Sequence, residues 1–212
     1  MEIRYDDQGY VPVVIQDWGT GEVLTLAYAN EEAVSRTRET GELHLWSRSR
    51  NELWRKGATS GNTQKVRALR LDCDGDALLA LVEPAGPACH TGARTCFHNP
   101  IGEGDDGTAG ADAAAPGELA PHEVLPELER TLQQRAAEKP AGSYTVELLG
   151  NPTLIGEKVE EEAEEVARAA REESDDRVDN EAADVLYHLL VLLRSRGRSL
   201  ADAARVLDGR RR

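Results

Sequence analysis

The sequence predicts an α+β chain in two parts, a β-rich N-terminal domain and an all-α C-terminal domain, and three observations carry that reading. Short runs of branched and aromatic residues broken by turn residues fill residues 1–100. Residues 101–121 hold almost no branched apolar side chain, and from residue 122 the apolar spacing becomes helical. At 212 residues the chain has room for two small domains.

The strand-like runs are 11–15, 23–28, 43–46, 66–71 and 77–82, with Gly19-Thr20-Gly21 as a representative break. One helix interrupts them. Asn30 is its N-cap, and Glu31 and Glu32 occupy the first turn, where acids favour the helix dipole. The stretch IGEGDDGTAGADAAAPGELAP cannot bury enough surface to offset its ordering entropy, so 101–121 reads as a flexible linker. Beyond it, Asn151-Pro152 is an N-cap followed by proline at the first helical position, opening a helix with Ile155, Val159, Ala163, Val166 and Ala170 on its apolar stripe. The next helix carries Val178, Ala182, Val185, Leu186, Leu189 and Leu193. Ser199-Leu200-Ala201-Asp202 resembles a capping box, with Asp in place of Glu, that starts a short final helix.

The 39 acids against 25 Lys and Arg give a net charge of −14, weighted toward the second half. Such a balance repels a nucleic-acid backbone, whose binding needs clustered cations. No apolar run approaches the roughly 20 residues of a membrane span, and Met1-Glu2-Ile3-Arg4-Tyr5 lacks the regions of a signal peptide. The expectation is a cytoplasmic protein with neither nucleic acid nor membrane as partner. Three cysteines in a reducing compartment are poor disulfide material, so their placement needs another explanation.

Asp72-Cys73-Asp74-Gly75-Asp76 follows a strand-like run; if the strand continues, its period of two sets the aspartates on one face and Cys73 on the other. Carboxylates suit Mg²⁺ and a thiolate suits Zn²⁺, so the motif reads as two metal sites back to back. A calcium loop also places Asp72, Asp74 and Asp76 at its first, third and fifth positions. It requires Gly where Ala77 stands, and Leu78 to Val82 read as a buried strand instead. Cys89 and Cys96, in CHTGARTC, bring the thiols to three, the number that leaves a catalytic zinc one open position. Ordinary buried cysteines are the plainer alternative, and the polar surroundings favour metal. The basic island Trp46-Ser47-Arg48-Ser49-Arg50 to Lys56 is followed by Thr59-Ser60-Gly61-Asn62, a composition able to cradle phosphate. Its tryptophans either stack on a base or belong to the core of a solvated hairpin.

Six glutamates between 157 and 165 read first as a solvated face, and helical geometry separates them. Glu162, Glu165 and Lys158 lie beside the apolar stripe, whereas Glu160, Glu161 and Glu164 point away. Glu181, Asp184 and His188 share one face of the next helix. Four acids on two neighbouring helices converge naturally on Mg²⁺; for either helix alone, surface ion pairs are the simpler reading.

Together the motifs carry a resemblance. LHLWSRSRNELWRKGATSGNTQKV, LRLDCDGDALL and GPACHTGARTCF resemble phosphoribosyl-AMP cyclohydrolase across nearly all of residues 10–98. EKVEEEAEEVARAA, NEAADVLYHLLVLL and RGRSLADAARVL resemble phosphoribosyl-ATP pyrophosphatase over roughly 125–208. The resemblance implies Mg²⁺ on Asp72, Asp74 and Asp76, and Zn²⁺ on Cys73, Cys89 and Cys96 in an obligate homodimer, with Cys73 opposite the other chain's Cys89 and Cys96. The pattern ExxE then ExxD maps onto Glu162, Glu165, Glu181 and Asp184 as catalytic Mg²⁺ ligands. Glu160 and Glu164 depart from the small residues usual there, and both point outward. His90 is the choice for proton shuttle because imidazole is the side chain suited to proton transfer near neutral pH, a structural histidine being the alternative. The basic island, Ser60, Gly61 and Asn62 are assigned to substrate, as are Lys158 and His188. The implied reactions are the second and third steps of histidine biosynthesis: the helical domain releases pyrophosphate from phosphoribosyl-ATP, and the β-rich domain opens the adenine ring of phosphoribosyl-AMP between N1 and C6. The rivals are a general nucleoside triphosphate pyrophosphohydrolase for the helical part and a structural zinc module for the β-rich part.

Overall fold

In β1 (Val11–Asp17) every second residue is buried, and Val11, Val13 and Ile15 face the core of the first of two compact units, Met1–Ala120 and Pro121–Arg212. The structure is a computed structural model, and it describes residues 2–99 and 119–211. β1 pairs antiparallel with β2 (Val23–Ala29) across the glycine turn, as period and punctuation predict. After α1 (Glu31–Thr40) come the hairpin β3 (His44–Ser47) and β4 (Glu52–Arg55), then β5 (Gln64–Leu71) and β6 (Leu78–Pro84). β6 returns parallel to β1 and antiparallel to β5, giving the order β2-β1-β6-β5. A parallel pair requires a long crossover, and α1, the hairpin and β5 all lie within it. Leu24, Ala33, Val34, Leu43, Leu45, Ala80 and Val82 complete the core.

α1 starts where the sequence places it. Asn30 accepts a hydrogen bond from the Ala33 N–H at 2.9 Å, and Gly41, at φ +71°, ends the helix in the left-handed region. β4 is an addition to the expected strands: its Arg and Glu ends hide the alternation that Leu53 and Trp54 supply by pairing with Trp46 and Leu45.

The expected continuation of the strand through the aspartates is corrected. β5 stops at Leu71, and residues 72–77 form a hairpin turn in which the Asp72 carboxylate accepts from the Gly75 N–H at 2.9 Å and the Ala77 N–H at 3.2 Å. Gly75 has φ +87°, which favours glycine. The aspartates therefore meet by a turn, and alternation plays no part.

The second unit consists of α2 (Pro121–Glu138), α3 (Tyr144–Gly150), α4 (Pro152–Glu172), α5 (Asp175–Ser195) and α6 (Leu200–Gly209) around Leu132, Leu148, Ile155, Leu190 and Val191. Asn151 caps α4 by accepting from the Leu154 N–H at 3.2 Å, and Asp202 accepts from the Ser199 N–H at 2.9 Å at the start of α6. α2 and α3 are additions; Pro126 inside α2 interrupts the pattern of Leu125, Leu128 and Leu132. α2 also begins at Pro121, inside the expected linker, of which residues 101–118 lie outside the described residues.

The apolar stripes also need correction. Ala163 and Ala170 are exposed, and the buried line of α4 is Ile155, Glu162 and Ala169, seven residues apart. Alanine is too small to decide which way a helix faces, so packing on α5 does so. In α5 the buried residues are Glu181, His188, Leu190 and Val191, and Leu186 is exposed. α4 and α5 form an antiparallel hairpin, with Glu162 near His188, Glu165 near Glu181, and Glu173 paired with Arg177.

Candidate active sites

On α4 and α5 the core-facing line is itself carboxylate. Glu162 is 8% exposed and Glu181 4%, and with half-buried Glu165 they bring ligand oxygens within 4.8 Å of one another. Burial, followed by the charges of Asp184 and Glu165, pushes the Glu162 carboxyl above its ordinary range, while His188 and Lys158 oppose that shift. His188 Nδ1 lies 3.7 Å from Glu162 Oε1 and 2.9 Å from the Asp184 backbone oxygen. A carbonyl only accepts, so Nδ1 carries the proton; in the neutral ring Nε2 then accepts from the Tyr144 hydroxyl at 3.2 Å. Arg177 contacts Glu181 and Glu173. The exposed side chain of Asp184 lies outside the three-carboxylate group, one turn beyond Glu181. Lys158 pairs with Glu161 at 2.6 Å, and Glu160 and Glu164 are exposed, as expected.

In the first unit the Asp72, Asp74 and Asp76 oxygens also fall within 4.8 Å of one another. Arg4 reaches Asp74 at 3.2 Å and Asp76 at 3.5 Å. All three cysteines are free: Cys89 is buried, Cys73 and Cys96 are exposed. The Thr91 hydroxyl donates to Cys89 Sγ at 3.1 Å, and with help from Cys96 and His98 this holds the Cys89 thiol below its usual pKa. Cys89 and Cys96 are thus neighbouring sulfur donors, a pair that fits a soft metal. His90 Nδ1 is 3.9 Å from Cys89 Sγ. No group of three candidate metal ligands among the described residues includes a cysteine, so Cys73 does not join the other two within one chain.

The basic island folds as the β3–β4 hairpin and lines a cleft of about 570 Å³ formed by Trp46, Ser47, Arg48, Ser49, Arg50 and Trp54 with Gln8, Ala27 and Tyr28. The Arg48 guanidinium sits 3.5 Å over the Tyr28 ring. Trp46 stacks on Tyr10 with centroids 6.5 Å apart. Arg50 and Lys56 both lie over Trp54, at 5.9 and 5.5 Å. Ser60, Gly61 and Asn62 do not line this cleft. Their turn packs instead on the segment between β6 and the cysteines: a Cβ on Gly57 would fall 2.3 Å from the Asn62 backbone, and one on Gly86 would fall 2.4 Å from Asn62 Oδ1. Lys56 Nζ donates to the Ala88 carbonyl at 2.6 Å, immediately before Cys89.

Sequence reasoning missed Tyr28 on the cleft and Tyr144 beside His188. Neither belongs to a motif whose spacing signals chemistry, and only packing brings them to these positions.

Three carboxylates on a helical hairpin and, in the other unit, a turn of three aspartates and a pair of neighbouring thiols suit a hydrolase with two separate sites. Family models agree: residues 25–98 match phosphoribosyl-AMP cyclohydrolase, and residues 125–211 match phosphoribosyl-ATP pyrophosphohydrolase. The chain is 47% identical to the histidine biosynthesis bifunctional protein HisIE of Bacillus subtilis, over 99% of this chain and 95% of that protein. It is 44% identical to the protein of the same name from Thermus thermophilus over 99% and 92%, and 43% identical to that of Deinococcus radiodurans over 99% and 92%. The chain belongs to the bifunctional HisIE family, with a cyclohydrolase and a pyrophosphohydrolase of histidine biosynthesis in one polypeptide. No helix among the described residues is long and apolar enough to cross a membrane.

Proposed function

We propose that the two sites act in sequence on phosphoribosyl nucleotides, each through ions held by the clusters described above. The helical unit releases pyrophosphate from phosphoribosyl-ATP, and its product, phosphoribosyl-AMP, is the substrate of the β-rich unit. The observation that carries this reading is the juxtaposition of Glu162, Glu165 and Glu181, two of them buried. Carboxylates so placed repel one another unless cations join them.

Glu162, Glu165 and Glu181, with Asp184 as the fourth ligand, would hold Mg²⁺, which would supply charge neutralisation for the triphosphate and orientation for the attacking water. Lys158 and His188 border the cluster and touch the phosphates. The Asp184 carbonyl and Tyr144 hydroxyl hold the imidazole in one tautomer, so its orientation is set before substrate arrives.

Cys89 and Cys96, with Cys73 of the partner subunit, would hold Zn²⁺, and Asp72, Asp74 and Asp76 would hold Mg²⁺. A zinc ion supplies Lewis acidity and lowers the pKa of water. Water adds to C6 of the adenine ring, the N1–C6 bond breaks, and N1 takes up a proton; His90, beside Cys89, moves that proton. Arg48 and Arg50 anchor phosphate in the cleft. Lys56 and the turn of Ser60, Gly61 and Asn62 support it from the side of the cysteine loop. Homodimerisation is supported by exposed Val23, Leu26 and Phe97, which flank the Cys96 region and suit coverage by a second copy. Three free thiols suit a cytosolic setting.

Incubation of the protein with phosphoribosyl-ATP, Mg²⁺ and Zn²⁺ tests the sequence of reactions by following pyrophosphate and ring opening together. Pyrophosphate should appear first, and release of neither product overturns the reading. Arg48→Ala should raise KM for phosphoribosyl-AMP about 10- to 100-fold, the loss of one charged hydrogen bond, with little change in kcat. An unchanged KM would show that the island is only a solvated face.

A further inference from the structure

We infer that Arg94 is a positioning residue: by clamping the Cys89–Cys96 loop to the turn between β1 and β2, it sets the geometry of the two thiols before any metal binds. The inference rests on the metal reading of that loop. Arg94 lies between the two cysteines, and its guanidinium reaches back 77 residues to Asp17 and 72 residues to Glu22. It contacts Asp17 Oδ2 and meets Glu22 Oε2 at 3.2 Å.

Both acids are fixed from the other side. Asp17, the last residue of β1, accepts through Oδ1 from the Gly19 N–H at 2.7 Å and the Thr20 N–H at 3.0 Å. Glu22 Oε2 also accepts from the Thr20 hydroxyl at 2.8 Å. Each carboxylate side chain is 8% exposed, against 28% for the guanidinium. The clamp therefore ends on a turn that the sheet itself holds.

The loop transmits that anchor to the thiols. The Arg94 carbonyl accepts from the Ala88 N–H at 3.1 Å, and the Ala93 carbonyl from the Cys89 N–H at 3.1 Å, so Arg94 closes the loop beside Cys89. On the other side, the Thr95 hydroxyl donates to the Val23 carbonyl at 2.8 Å, and the Cys96 N–H donates to the Leu24 carbonyl at 2.8 Å. Between these points His90, Thr91 and Gly92 are exposed and have little packing of their own. A planar guanidinium engaging two fixed carboxylates restrains the loop in direction as well as distance. Ions so buried are weak contributors to stability, and positioning is the better account of their presence.

The test uses the full-length protein, with Zn²⁺ affinity measured by competition against a chromophoric chelator and the alkylation rate of Cys89 measured in the metal-free form. Arg94→Met, which takes the guanidinium from the two acids, is paired with the triple change Asp17→Asn, Glu22→Gln and Arg94→Met, which neutralises all three groups of the clamp and serves where the single variant fails to fold. Both should bind Zn²⁺ at least about 10-fold more weakly, the effect typical of losing a group that orients a ligand. Cys89 should be alkylated faster, Arg94→Lys should lie between, and pyrophosphate release should be unchanged. If the folded variants bind Zn²⁺ as the wild type does while Cys89→Ser binds it poorly, the clamp is overturned and the metal reading stands. If Cys89→Ser itself binds Zn²⁺ like the wild type, the metal reading falls and the clamp with it.

Discussion

Glu162→Gln should abolish pyrophosphate release from phosphoribosyl-ATP, by at least about 100-fold, because even the outer partners of a metal ligand contribute 10- to 100-fold and a ligand contributes no less. Glutamine keeps the shape but removes the negative charge that the proposed Mg²⁺ site requires. Asp184→Asn has the same direction. Ring opening of added phosphoribosyl-AMP stays within about twofold, since the two clusters lie in separate compact units and share no residue. The variant should also remain folded: burial first, and then the charges of Asp184 and Glu165, hold the Glu162 carboxyl above its ordinary range, so removing its charge removes a cost. Its thermal unfolding in the absence of metal should come no lower than that of the wild type. Loss of both activities in a folded Glu162→Gln protein contradicts the two-site scheme.

Ring opening should reappear when Cys73→Ser protein is mixed with Cys89→Ser protein and the subunits are allowed to exchange, each parent being inactive alone. A two-fold dimer whose zinc sites each take Cys89 and Cys96 from one chain and Cys73 from the other has two such sites. In the mixed dimer one site keeps all three thiols and the other carries both lesions. An equal mixture at equilibrium then holds roughly a quarter of the wild-type number of intact sites, and about that fraction of activity is expected. The single chain is compatible with this arrangement, since its Cys73 lies on the aspartate turn, apart from the paired Cys89 and Cys96. Mixed dimers that form and stay inactive, with both parents folded, would falsify ligation across the interface and leave a site within one chain as the better model.

Local signals in the chain translate directly into structure. Asn30 and Asn151 mark helix starts because the bond each makes closes within three residues. The alternation of Val11, Val13 and Ile15 marks a strand because it records one buried face. The outward direction of Glu160 and Glu164 follows from 3.6 residues per turn alone. Motif spacing, through resemblance, likewise led to both enzymatic activities.

Other features are decided by contacts that no local pattern encodes. A carboxylate on a helix looks solvated in sequence, and only the packing of α4 on α5 puts Glu162 and Glu181 on the buried line while leaving Ala163 outside. The aspartates look like a strand continued, until the hydrogen bonds of Asp72 with Gly75 and Ala77 fold them into a turn. Lys56 reads as an anion anchor from its charge, yet tertiary structure aims it at the Ala88 carbonyl. Arg94 finds Asp17 and Glu22 only because β1 and β2 bring the far end of the unit beside the cysteine loop. The sequence by itself determined the two-part α+β class, the caps of α1 and α4 and the ligand types each candidate cluster offers, since these depend on short-range sterics and on residue type. The burial of the helical carboxylates, the turn that gathers the aspartates and the partners of Arg94 were left to the tertiary structure, because each depends on which distant segments exclude water from one another.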